Sequence, residues 1–194
     1  MFRRSLIAWA VALAFAAPAT ATIAHVRIEG RTRTIFGPAD PRVSASTALD
    51  ALEAASRSGE FYVHVSDTSY GPYVDQVGLY AAFGSSGWAY KVDGVSPPVG
   101  ADQYVLKPGD RVLWYWAFFG LKGGPPTLRL ERLGRGCYRV VSQDDQGKES
   151  RAAGSVLHVD SRSVRTRAAE ACVGRHHGLV RATFNGAVRS NALA

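Results

Sequence analysis

Arg111-Val112-Leu113-Trp114-Tyr115-Trp116-Ala117-Phe118-Phe119 alternates without offering either of its faces to water. In an extended chain Val112, Trp114, Trp116 and Phe118 fall on one side, and Leu113, Tyr115, Ala117 and Phe119 on the other. Both sides are apolar, so this segment reads as a central strand of a sheet that is covered above and below. The flanking sequence offers one short helix, which can cover one face only. The opposite face must meet a second part of the chain, another molecule or a ligand.

Before this strand, Lys107-Pro108-Gly109-Asp110 places Pro and Gly at the central positions of a type II turn. Trp88-Ala89-Tyr90-Lys91-Val92 alternates with Trp88, Tyr90 and Val92 on one face. Asp93-Gly94 after it is a hairpin signal of the type I′ kind, which needs positive φ at both central residues. Pro97 and Pro98 confine the returning strand to an edge. Phe61 to Ser66 and a weaker stretch from Tyr73 to Leu79 also read as strands. Thr47 is placed to N-cap a helix with Asp50 three residues on, Leu49, Leu52 and Ala55 on one side, and Gly59 as its stop. At the other end His25-Val26-Arg27-Ile28-Glu29 fits a strand with Val26 and Ile28 facing in.

Gly87-Trp88-Ala89-Tyr90-Lys91-Val92-Asp93-Gly94, then Pro98, Gly100-Ala101-Asp102-Gln103-Tyr104, Leu106-Lys107-Pro108-Gly109-Asp110 and Val112-Leu113-Trp114 together resemble the transcobalamin-like C-terminal family, over about residues 45–118. In bacteria this is largely a domain of unknown function. The resemblance implies a β-grasp-like fold, a mixed sheet packed on one helix, and it implies ligand binding. In the vitamin carriers of this family the domain closes over cobalamin, and the matching aromatic position is Trp88, with Tyr104 in the later motif. The chain lacks the helical barrel domain that supplies the other half of that site, so no cofactor is expected, with cobalamin or a related corrinoid the alternative that the resemblance leaves open.

Gly120 to Pro126 is a Gly/Pro-rich connector at which the charge changes. Residues 22–126 hold nine Lys and Arg against ten Asp and Glu, whereas residues 127–194 hold twelve against six. This predicts a first domain over 22–120, a linker at 121–126, and a basic domain over 127–194. Period-two patterning in the latter (Leu128 with Leu130, Tyr138 with Val140, and Val156 with His158 or Leu157 with Val159) predicts a small immunoglobulin-like β-sandwich. Leu179 to Ser190 reads as a hairpin turning at Asn185-Gly186. Arg139, Arg181 and Arg189 alternate with apolar neighbours and read as a solvated outer face. The fold class is thus mainly β, with an α+β first domain.

With 194 residues, 46% apolar and 20% charged, the chain has enough material for a core. Its mean hydropathy of -0.07 excludes a polytopic membrane protein. Arg3 and Arg4 precede the apolar stretch Leu6 to Ala17, and a small-x-small site follows at Ala19-Thr20-Ala21. This is the pattern of a signal peptide over residues 1–21, cleaved after Ala21. The expected location is secreted or extracytoplasmic, at the cell surface or in the periplasm, with no membrane-spanning segment. Cys137 and Cys172, an even pair in an oxidising compartment, are expected to be bridged.

No nucleophile elbow, HExxH, phosphate-cradling glycine loop or calcium loop is present, so no enzymatic activity is expected. His176-His177 and Asp144-Asp145-Gln146-Gly147 read as exposed loops, and no metal site is expected. Nucleic acid is not an expected partner, because the chain carries none of the usual recognition motifs. The candidate ligand-binding residues are Trp88, Tyr90, Asp102, Tyr104, Trp114 and Trp116: flat apolar rings, with Asp102 and Tyr104 as the polar groups that orient a ligand. The function these predict is a non-catalytic binding module that shows an aromatic sheet face to a small hydrophobic or aromatic ligand or to an extracellular protein. The alternative is a structural or adhesive surface protein, whose arginines bind weakly to an anionic envelope polymer.

Overall fold

The computed structural model describes residues 20–120 and 123–194. The signal-peptide reading falls almost wholly outside them, as does part of the expected linker. Within them the chain is mainly β, with one helix.

The N-terminal part runs β1 (Thr22–Glu29), β2 (Thr34–Phe36), β3 (Arg42–Ala45), α1 (Ala48–Gly59), β4 (Val63–Thr68), β5 (Gly71–Val77), β6 (Tyr80–Ala81), β7 (Ser86–Val92) and β8 (Arg111–Phe118). Its main sheet has the order β2-β1-β8-β7, with β3 also paired to β1. The strand first in sequence lies parallel to the last, His25 opposite Arg111 through Glu29 opposite Tyr115. With the helix crossing over that pair, this is the β-grasp arrangement. β4, β5 and β6 form a separate small sheet.

Local chemistry explains the elements. The Thr47 hydroxyl accepts from Asp50 N at 3.1 Å and the Asp50 carboxylate accepts from Thr47 N at 3.0 Å, a complete capping box. Small Ala48, Ala51 and Ala55 beside Leu52 let the helix lie close on the sheet. It stops one residue later than Gly59, at Glu60, whose φ of 51° closes the last turn onto Ser56 O. Asp93 and Gly94 both have positive φ, 49° and 87°, as type I′ demands. The strand returning from them is reduced to single bridges of Val95, one to Val92 and one to Gln146. Gly109 sits at φ 89° with Asp110 N bonded to Lys107 O, so the type II turn forms.

The C-terminal part runs β9 (Thr127–Gly134), β10 (Cys137–Gln143), β11 (Glu149–Arg151), β12 (Val156–Val159), β13 (Arg162–Arg165), β14 (Glu170–Cys172), β15 (Val180–Thr183) and β16 (Ala192–Leu193). These make two four-stranded sheets, one around β10 and the other in the order β13-β12-β15-β16. Leu128, Leu130, Tyr138, Val140, Leu157, Val159, Val180 and Ala182 fill the space between them. Leu157 and Val159, rather than Val156 and His158, are the inward pair of β12. Cys137 and Cys172, opposite each other on β10 and β14, are bridged.

The expected Leu179–Ser190 hairpin does not form. The Asn185-Gly186 turn is made, with Ala187 N on Phe184 O, but only Gly186 has positive φ. With its one left-handed residue at the second central position the turn is not of a primed type, and it lacks the twist that brings two strands back together. The chain departs instead to Val188, which bonds Pro126 O and Leu128 N, and β15 pairs with β12 and β16.

The second face of the main sheet meets the C-terminal part. Leu113, Tyr115 and Ala117 are buried there against Ala89, Phe119 and Val188. Beside them, charged residues are buried too: Lys91 is fully enclosed, donating to Asp144 O at 2.8 Å and pairing with Asp145 at 3.4 Å. Glu29, 1% exposed, meets Arg27 at 3.5 Å, Arg189 at 3.1 Å, and Arg181. Arg181 and Arg189 therefore do not lie on a solvated outer face, because the Glu29 carboxylate turns both inward. The contact is completed by a main-chain bond from Ala192 N to Pro38 O at 2.7 Å.

Tyr115 gives this contact a pH signature. Burial, with Asp145 adding to it, pushes its phenol up to about 12. The folded state thus keeps a neutral phenol that the unfolded chain ionises near pH 10. The contribution is whole below that and is lost as pH rises toward about 12, by about 2–3 kcal/mol. Tyr90, also raised to about 12 by burial, acts with the same sign. Tyr115→Phe should reduce the alkaline loss of stability read from denaturant midpoints. An unchanged alkaline slope would contradict this.

Candidate functional site

The six candidate residues do not form one site. Trp88 and Trp114 are core: their rings are buried and their indole N–H groups are used internally, Trp88 Nε1 on Tyr80 O at 2.8 Å and Trp114 Nε1 on Ala48 O at 3.1 Å. Tyr90 stacks on Trp114 with ring centroids 5.4 Å apart and meets the edge of Tyr104 at 6.3 Å. Its hydroxyl donates to Val99 O at 2.7 Å. Burial raises the Tyr104 phenol as well, with Asp110 and Asp93 adding to it. Asp102 lies in the tight turn that Gln103 N closes onto Gly100 O. Trp88 and Trp114 are closed to a ligand, whereas Tyr90, Asp102 and Tyr104 are half-buried at the edge of that core.

Trp116 differs. The first residue of α1, Ala48, lies over Trp114, and two residues further along β8 the cover is β6, whose Ala81 O accepts from Trp116 Nε1 at 3.2 Å. The indole is partly buried, with one part of it left to the surface. The Arg31 guanidinium lies 5.7 Å from its ring centroid, a cation–π contact. Next on the same side Phe118 is 65% exposed. Trp116, Ala117, Phe118, Gly30, Arg31 and Val188 line a groove of about 360 Å³, with Pro125 and Arg189 at its border. It lies where the two parts of the chain meet.

Sequence reading placed Trp116 and missed Phe118 and Arg31. Phe118 carried a signal, because the i, i+2 alternation that selects Trp114 and Trp116 also selects it. Arg31 carried none, since it lies in the turn after β1 where no periodicity applies.

A larger cleft of about 470 Å³ runs along the same seam, lined by Arg27, Asp40, Arg111, Arg129, Glu149 and others. Most of its charges are paired: Asp40 holds Arg27 at 3.4 Å and Arg111 at 2.9 Å, and Glu149 holds Arg129 at 2.5 Å, while Arg132 lies over the Tyr138 ring. A ligand there would have to displace ion pairs, whereas the Trp116 groove offers free ring surface. Among the described residues no three His, Cys, Asp or Glu side chains gather as a metal site, and no helix is long and apolar enough to cross a membrane.

No curated protein matches the chain. Among solved structures, a protein from Ruminococcus gnavus ATCC 29149, described provisionally as metal binding, is 17% identical with a TM-score of 0.39, over 50% of this chain and 97% of that one. Haptocorrin in complex with Cbi is 22% identical with a TM-score of 0.42, over 50% of this chain and 25% of that one. The stretch that carries the β7 hairpin, the type II turn and β8, residues 45–117, matches the family described as "Domain of unknown function (DUF4430)".

Proposed function

We propose that this chain is an exported, non-catalytic binding module whose recognition surface is the groove at Trp116 and Phe118. The reading rests on one observation: of the rings on the aromatic face, Trp88 and Trp114 are sealed inside, while Trp116 and Phe118 stay accessible beside a cavity and a cation. Exposed aromatic surface in a concave setting is the usual mark of a binding site. The transcobalamin-like motifs over residues 45–118 support a ligand-binding role, and the disulfide suits an oxidising compartment. The ligand that suits the groove has a flat apolar body and an anionic or strongly accepting group for Arg31.

The dye 8-anilinonaphthalene-1-sulfonate has that form and serves as the probe. It should bind one to one with a saturable rise in fluorescence. Phe118→Ser, at an exposed position whose replacement leaves the core intact, should weaken binding about tenfold, which is about 1.4 kcal/mol. Arg31→Gln should weaken it by a smaller factor, and Trp88→Phe should leave it unchanged. Binding unaffected by Phe118→Ser and Arg31→Gln would overturn the assignment.

A further inference from the structure

The floor of the groove is made of main chain. On β8 the odd-numbered residues face β7: Phe119 N donates to Ser85 O, and Arg111 O accepts from Asp93 N. Backbone groups alternate sides along a strand, so the even-numbered residues face β1. His25 N on Asp110 O at 2.8 Å agrees with this. But β1 accompanies β8 only as far as Glu29 opposite Tyr115. At Gly30 it turns away, its N–H taken by Arg33 O at 2.9 Å. Past that point Trp116 O, Phe118 N and Phe118 O have no hydrogen-bond partner among the described residues. They form an open strand edge, and it faces the groove.

Open edges of this kind accept an extended chain as an added strand. This one is closed at one end by Gly30 and Arg31, so a strand entering it must stop there. Charge says which end of a chain can stop. Arg31 forms no ion pair among the described residues, its contact being the Trp116 ring. Arg189, whose Nη2 donates to Gly30 O at 2.6 Å, is paired with Glu29, which leaves Arg31 as the uncompensated charge at that end. A carboxylate is favoured at the closed end and an ammonium is repelled.

We propose that the groove binds the C-terminal residues of an extended peptide, added antiparallel to β8 with its terminal carboxylate against Arg31. This rests on the groove being the recognition surface and names its partner. In that arrangement the N–H of the last peptide residue donates to Trp116 O. The residue two places earlier exchanges both of its main-chain bonds with Phe118. Side chains on one face of the peptide lie along Trp116 and Phe118, and those on the other lie over Val188 and Pro125.

The probe is acetyl-Thr-Val-Phe-Val with a free C-terminal carboxylate, compared with its C-terminal amide and with a version N-methylated at the third residue from the end. Binding to the purified protein is followed by hydrogen exchange of the Phe118 amide and by tryptophan fluorescence. The free acid should slow Phe118 exchange at least tenfold. The amide and the N-methylated peptide should each bind at least tenfold more weakly. Arg31→Gln should remove the preference for acid over amide while leaving the N-methyl effect in place, which a merely structural role for Arg31 would not do. Equal binding of acid and amide, or of the N-methylated peptide, overturns the proposal. So does binding of phosphatidylglycerol vesicles through this surface with Phe118 exchange unprotected. If the dye binds at Trp116 but no peptide protects Phe118, strand addition fails and the groove reading stands. If neither acts, both fail.

Discussion

Glu29→Gln should lower the free energy of unfolding by about 3–5 kcal/mol, the usual cost of removing one partner from a buried ionic cluster. The carboxylate is 1% exposed and is shared by three guanidiniums, with Thr34 also donating to it at 3.2 Å. Burial already lowers the basicity of Arg27 and Arg181, and Glu29 opposes that effect in both. Glutamine keeps the volume but removes the charge, and it leaves three cations facing one another at a seam with little water. Arg181 and Arg189 suffer most, because Glu29 is their only carboxylate among the described residues, whereas Arg27 keeps Asp40 at 3.4 Å, which Arg111 shares. Replacing Glu29, Arg181 and Arg189 together by Leu, Met and Met should cost less than Glu29→Gln alone, since nothing charged is then stranded. Denaturant unfolding checks both. A loss below about 1 kcal/mol for Glu29→Gln, or a triple variant worse than the single one, would show that the cluster does not hold the seam.

Replacing Cys137 and Cys172 together by Ala should cost about 4 kcal/mol, the loop-closure value for a separation of 35 residues. The enclosed segment carries β11, β12, β13 and much of the second core, so freeing it enlarges the unfolded ensemble more than it alters the folded contacts. The loss should therefore show as a lower midpoint with little change in the pairing of β1 with β8. Reduction of the native protein should reproduce it. If the double variant unfolds at the midpoint of the native protein, the bridge is not what stabilises this half.

Much of the architecture was written locally. The Thr47–Asp50 capping box, the Asp93-Gly94 turn, the Pro108-Gly109 turn and the two apolar sides of β8 each depend on neighbours within a few positions, and each is found. What eluded the sequence depends on distance along the chain. Glu29 and Lys91 alternate with Ile28 and Val92 and so read as a wet face, yet they are met by partners more than 50 residues away: Asp144 and Asp145 for Lys91, Arg181 and Arg189 for Glu29. Asn185-Gly186 signals a turn correctly, but it cannot show that Val188 would prefer Thr127 to a returning strand. The aromatic set was legible as a face and not as a site. Which rings stay open depends on where the cover of α1 gives way to that of β6, and alternation alone contains neither length.

The seam between the two parts is joined largely by salt links and main-chain bonds, with one small apolar patch around Tyr115. Cut at the Gly120–Pro126 connector, each fragment would therefore expose a hydrated, charged surface instead of a greasy one. Such pieces should remain dissolved, and they could reassociate when mixed in dilute buffer.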